Sequence, residues 1–170
     1  MPNQEYLNKI KLTERFDRNS TKALRDTAAI NFNVALDIMQ DHGKRGTKAV
    51  QAYLYIKLHD GSFINYSPKI FLGETNLTKK RAEDYFQEFQ QMGLIEIHEN
   101  TELNRRTIQY VGKNKLALKY AYELDTKRFK KDYMVFDKAM IFDEQFPEYL
   151  MCKMLHHISM NMHQNFINSR

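Results

Sequence analysis

A single cysteine, Cys152, stands among the 170 residues. It excludes an internal disulfide and is compatible with a reducing compartment. Tryptophan is absent, and the chain holds only three prolines and six glycines, too few for a collagenous or linker-like polymer. No apolar run approaches the ~20 residues of a membrane-spanning helix. The opening MPNQEYLNKIKLTERF is polar, so no signal peptide is expected and a cytoplasmic location is the default. Also missing are a glycine-rich phosphate loop, a GxSxG nucleophile elbow and a paired-carboxylate signature. Neither an enzyme nor a cofactor is expected.

What is present suits a packed domain. Hydrophobic residues make up 42% and aromatics 12%, enough for a core and unlike a disordered chain. The net charge is +5 and the pI about 9.2, a bias that suits a polyanionic partner without requiring one. His156, His157 and His163 lie near Cys152, but no two of these histidines are four apart and no second ligand cluster exists, so no metal site is expected. Cys152, among apolar neighbours on a predicted helix, is expected to pack and not to react.

Residues 1–19 read as a basic arm, with Lys9, Lys11, Arg15 and Arg18 and few large apolar residues. From Ser20 to Gln40 the spacing of Leu24, Ala28, Phe32, Ala35, Leu36 and Met39 predicts one amphipathic helix. HGKRG (His42–Gly46) breaks it, and a second helix runs from Thr47 to about His59. SFINY (Ser62–Tyr66) is a short strand, and Ser67 with Pro68 opens a short helix ended by Gly73. The next helix, capped by Asn76 or Thr78, sets Ala82, Tyr85, Phe86, Phe89 and Met92 on one face and closes at Gly93. LIEIHE and RTIQYV alternate as two strands around NTELNR. KLALKYAYEL (Lys115–Leu124) fits either a helix or a strand; strict alternation favours a third strand or extended segment. DTKRFKKD is a charged connector, and Pro147–Arg170 reads as one helix.

Lys79, Lys80 and Arg81 stand side by side where the best-defined helix begins. Cations there oppose the helix macrodipole and cost stability, so an anionic partner explains them better than solvation does. The alternative is an ordinary solvated charge run. Arg105 and Arg106 end the loop between the two strands, and from Leu103 to Lys131 nine cations face two carboxylates.

The piece SPKIFLGETNLTKKRAEDYFQEFQQMGLIEI (Ser67–Ile97) resembles the helix-turn-helix of winged-helix DNA-binding proteins. The recurrent ending of that family is an apolar-stepped helix, then Gly-Leu-Ile leading into a strand; here it is FQEFQQMGLIEI. The resemblance covers about 65 residues, from Thr47 to Val111. It implies a mainly α (α+β) fold, a winged helix-turn-helix with flanking N- and C-terminal helices. It divides the chain into the arm at 1–19, a winged-helix domain at 20–125 and a C-terminal helical extension at 126–170. It implies double-stranded DNA as partner, with the helix N-terminus in the major groove and the wing on backbone or minor groove. The residues this assigns to DNA are Ser67, Lys69, Thr78, Lys79, Lys80, Arg81, Asp84, Asn104, Arg105 and Arg106. Arg81 is the base-reading candidate and the lysines meet phosphate. Glu83 and Asp84 either discriminate bases or balance charge. The functional expectation is transcriptional regulation, or control of replication or transfer of a plasmid or phage. A winged helix serving only protein–protein interaction is the alternative.

FNVALDIMQDHGKRGTKAVQAYLYIKL and MVFDKAMIFDEQFPEYLMCKMLHHISM share a pattern of apolar stretch, polar turn and apolar-striped helix. Residues 133–170 either begin a second, incomplete unit or, as preferred here, supply a dimerisation helix through Leu150, Met151, Met154, Leu155, Ile158 and Met162. Packing of that helix back on Phe32 and Leu36 is the monomeric alternative, and the two can coexist. No small-molecule ligand and no membrane is expected.

Overall fold

The computed structural model describes residues 24–59, 63–64, 78–100, 102, 105–120 and 126–168. Its contacts divide the chain into two compact units, residues 27–54 with 113–170 and residues 1–26 with 55–112. The described residues are mainly helical, with a two-stranded and a three-stranded antiparallel sheet. The arm at 1–19 and the short helix from Ser67 lie outside the described residues.

In the first unit, β1 (Thr27–Asn31) pairs antiparallel with β5 (Tyr133–Asp137), from Thr27↔Asp137 to Asn31↔Tyr133. This corrects the single helix expected from Ser20 to Gln40. Ala28 and Ile30 alternate into the core, and the helix α1 (Phe32–His42) starts only after them. Asn31 sets that boundary. Its backbone is extended, and its Oδ1 accepts from Asn33 N at 2.8 Å and Val34 N at 3.4 Å, satisfying two of the donors that a helix start leaves open. Its Nδ2 donates to the Phe129 carbonyl at 2.7 Å.

A 3-10 turn (Gly43–Arg45) leads into α2 (Gly46–Leu58). A Cβ added at Gly46 would lie 2.8 Å from Met39 Cα, so the closeness of the backbones here requires glycine. Ala49, Val50, Ala52, Tyr53 and Leu54 are all buried, and Gln51, also buried, donates to the Ile141 carbonyl at 2.5 Å. A helix apolar on every side belongs inside a protein.

Four later helices complete the described part of this unit. Of the stretch expected to be extended, residues 115–119 belong to a helix, α4 (Lys113–Lys119), and residues 121–124 lie outside the described residues. Leu116, Ala117 and Tyr120 are buried, whereas Leu118 is 71% exposed; burial at i, i+1 and i+4 is helical and not alternating. Tyr120 decides the matter by stacking on Phe129 at 5.0 Å and donating its hydroxyl to Asp37 Oδ2 at 2.6 Å. The charged connector likewise holds a helix, α5 (Thr126–Lys131), pinned by the fully buried Phe129. After β5 come α6 (Lys138–Ile141) and the long α7 (Phe146–Asn168). The order strand, helix, turn, helix thus occurs twice, as β1–α1–α2 and as β5–α6–α7.

In the second unit, β2 (Phe63–Ile64), β4 (Arg105–Tyr110) and β3 (Ile95–Asn100) form a sheet in the order β2-β4-β3. The helix α3 (Lys79–Gln91) buries Ala82, Tyr85, Phe86 and Phe89. Leu94, Ile95 and Ile108 are buried in the same unit, as are Tyr55, Ile56 and Leu58 at the end of α2. Leu24 bridges His59, and Arg25 N donates to the Leu58 carbonyl at 2.7 Å.

Candidate nucleic-acid interface

Thr78 caps α3. Its backbone is extended, its Oγ1 accepts from Arg81 N at 3.3 Å, and its carbonyl accepts from Ala82 N at 3.0 Å. Lys79, Lys80 and Arg81 therefore occupy the first three helical positions, and the first turn contains no acidic residue. Backbone N–H groups at a helix start carry the positive end of the macrodipole. Three cations beside it concentrate positive potential on this one turn, which is the arrangement that attracts phosphate.

The exposed side of α3 is a polar stripe. Lys80, Asp84, Gln87 and Gln91 are exposed at spacings of four, three and four, and Arg81 and Glu83 are half-buried beside them. The opposite side carries Tyr85 stacked on Phe89, with ring centroids 6.2 Å apart. Gly93, at φ +74°, turns the chain out of the helix, and Leu94 N donates to the Phe89 carbonyl at 2.9 Å. Only glycine adopts such a φ without strain. The C-terminal half of α3 is thus fixed by its buried aromatics, and the N-terminal turn carries the charge.

The hairpin β3–β4 lies in the same unit, and α3 contacts β3. Arg105 and Arg106 are the first residues of β4, opposite Asn100 and Glu99. Glu99 is exposed and tempers the charge at this end. On β3, His98 Nε2 is 3.5 Å from Glu96 Oε2, and both side chains are solvent-accessible. Of the residues expected to contact DNA, Thr78, Lys80 and Asp84 are exposed and Arg81 is half-buried. Lys79, Arg105 and Arg106 are placed by their backbone positions. Ser67, Lys69 and Asn104 lie outside the described residues. Gln91 was missed; its spacing from Lys80, Asp84 and Gln87 was the available signal, and its amide can donate to and accept from a base edge.

A second concentration of positive charge lies in the other unit. Lys113, Lys115 and Lys119 on α4 and Lys127, Arg128, Lys130 and Lys131 on α5 are exposed. Asp132 takes up part of it, 3.9 Å from Arg128 Nε.

The six residues expected at a dimer seam divide in two. Leu150 and Met154 are buried within their own unit, whereas Met151, Leu155, Ile158 and Met162 are exposed. His157, on the same helix, stacks on Phe32 at 4.8 Å, so packing back on α1 does occur. Cys152, expected to pack, is exposed; its neighbours Met151 and Leu155 are apolar but face away from the core. Among the described residues no group of three His, Cys, Asp or Glu could hold a metal ion, and no helix is long and apolar enough to cross a membrane.

No protein-family model, no curated protein and no solved structure matches the chain.

Proposed function

We propose that this chain is a non-enzymatic winged-helix protein that binds double-stranded DNA with sequence preference, as a transcriptional regulator or a replication or transfer control factor. One observation carries the reading: Lys79, Lys80 and Arg81 fill the first turn of α3, with no acidic residue to offset them. Stability alone would favour Asp or Glu at those positions. The order α2, β2, α3, β3, β4 is compatible with a winged-helix arrangement. In that arrangement the stripe Lys80, Asp84, Gln87, Gln91 enters the major groove from the N-terminal end of α3. Lys79 and Lys80 neutralise phosphates, Arg81 reads guanine, and the amides of Gln87 and Gln91 suit adenine. Arg105 and Arg106 bring the hairpin to the flanking backbone.

The roles separate experimentally. Duplexes selected by the full chain from a random pool give the preferred site, and fluorescence anisotropy then compares that site with scrambled sequence. Arg81→Ala is expected to cost about 1–3 kcal/mol on the preferred site and to narrow its advantage. Lys80→Ala is expected to weaken both duplexes equally. Selection that enriches no sequence would refute the sequence preference, and equal losses for both variants would remove base reading from Arg81.

A further inference from the structure

The long helix α7 has two apolar faces, and the second is bare. Phe146, Leu150 and Met154 are buried within the unit, with His157 half-buried on the same side. Met151, Leu155, Ile158 and Met162 are 43%, 61%, 41% and 67% exposed. At about 100° per residue, this second stripe is centred roughly 110° around the helix from the first. From Leu155 to His163 no residue is fully buried, and His157 alone is stacked inward, on Phe32. Isolated helix of that length is marginal in water, so its packing is incomplete.

The repeated order of elements shows what that face corresponds to. α2 and α7 each follow a strand, a helix and a turn. Counting from their first residues, Gly46 and Phe146, the positions of Met151, Leu155 and Ile158 match Gln51, Tyr55 and Leu58. All three of the latter are buried, at 5%, 0% and 0%. The same helical face is therefore covered in α2 and uncovered in α7.

We infer that the bare face of α7 is a homodimer seam, occupied by α7 of a second copy of this chain. Three features favour a second copy over another occupant. The spacing 151, 155, 158, 162 alternates four and three, the repeat that lets two like helices interdigitate knobs into holes. The segment from Met154 to Asn168 contains no Lys, Arg, Asp or Glu, although the chain carries a net +5. A nucleic acid, an acidic peptide or an anionic membrane would be met by cations, and the face offers none. An uncharged stripe is compatible with itself across a two-fold axis, where like charges would repel. The one nearby lysine, Lys153, is engaged inward, its Nζ 5.3 Å from the Phe136 ring centroid. A specific interface needs about 1,000 Å² in total, and eight such side chains over a short seam reach only that lower bound. The dimer is expected to be weak, and methionine at both ends of the stripe lets it adapt.

The seam does not depend on DNA binding, so the full chain is tested without nucleic acid. Sedimentation equilibrium between about 1 and 100 µM, a window bracketing micromolar affinity, is expected to show a mass rising from 20.3 kDa towards twice that value. Leu155→Lys combined with Ile158→Lys is expected to hold the single-chain mass throughout, with unchanged far-UV circular dichroism. Met160→Lys, at a site 48% exposed on the other side of the same helix, is expected to leave association intact. A wild-type chain that stays at 20.3 kDa at the highest concentration would overturn the inference. Met160→Lys dissociating the chain as fully as the double variant would overturn it too.

Discussion

Replacing Arg81 by Glu sets stability against binding at one position. Arg81 is the third residue of α3, and its backbone N–H already bonds Thr78 Oγ1 at 3.3 Å. Half of a capping box is therefore in place. Glutamate here supplies the other half, a carboxylate able to reach back to the Thr78 N–H. It also replaces an unfavourable charge–dipole interaction with a favourable one, each worth about 0.3–1 kcal/mol at an exposed helix start. Together these stabilise the fold by roughly 1–2 kcal/mol, a rise of about 2–8 °C in Tm for a chain of this size. The same change removes one cation from the proposed interface and puts an anion beside phosphate. Affinity for duplex DNA is expected to fall at least ~10-fold at moderate salt, and the slope of log K against log salt to flatten by about one unit. Differential scanning fluorimetry and anisotropy on one preparation read both effects. A variant neither more stable nor weaker on DNA would show the arginine to be an ordinary solvated charge and remove it from the interface.

Gly46→Ala drives a methyl to within 2.8 Å of the Met39 backbone; the expected loss is about 1–3 kcal/mol, read by thermal unfolding despite alanine's better helix propensity. His59 is 2% exposed, and burial pulls its pKa from 6.5 to about 4. The unfolded chain therefore binds more protons than the folded one between those values. His59 supports the fold above pH 6.5, and this support, on the order of 3 kcal/mol, is lost as pH falls towards 4. His59→Gln is expected to flatten that part of the pH–stability profile; an unchanged acid slope would refute the assignment.

Much of the second unit was legible because each element there carried a local signal. Thr78 and Gly93 bound α3 by capping chemistry, and its apolar steps match the buried Ala82, Tyr85, Phe86 and Phe89. The alternation in LIEIHE and RTIQYV gave β3 and β4 to within a residue. The other unit was harder because its signals are non-local. Nothing between Thr27 and Asn31 shows that they will pair with residues beyond 130; the apolar spacing fits a helix equally well until β5 supplies the partner. Asn31 caps α1 in the fold, and its second bond, to the carbonyl of Phe129, connects residues 98 apart. Leu116, Leu118 and Tyr120 alternate in sequence, yet the stack of Tyr120 on Phe129 selects a helix and leaves Leu118 in solvent. On α7 the composition showed apolar width but not its division, since which residues face inward depends on where Phe146 and Leu150 find a core. For the candidate site, charge and capping pointed to the first turn of α3, whereas the stripe that includes Gln91 required knowing which face is exposed.

DNA binding by the full chain is tested by its affinity for duplex DNA as a function of salt. If α3 and the hairpin neutralise several phosphates as proposed, counterions are released and log K falls linearly with log salt between about 50 and 200 mM, with a slope near −0.9 per contact. A steep linear decline, reduced by about one unit in Lys80→Ala, is the expected result. No binding to any duplex at ~50 mM salt, where the electrostatic contribution is greatest, would exclude DNA as the partner of α3 and the hairpin.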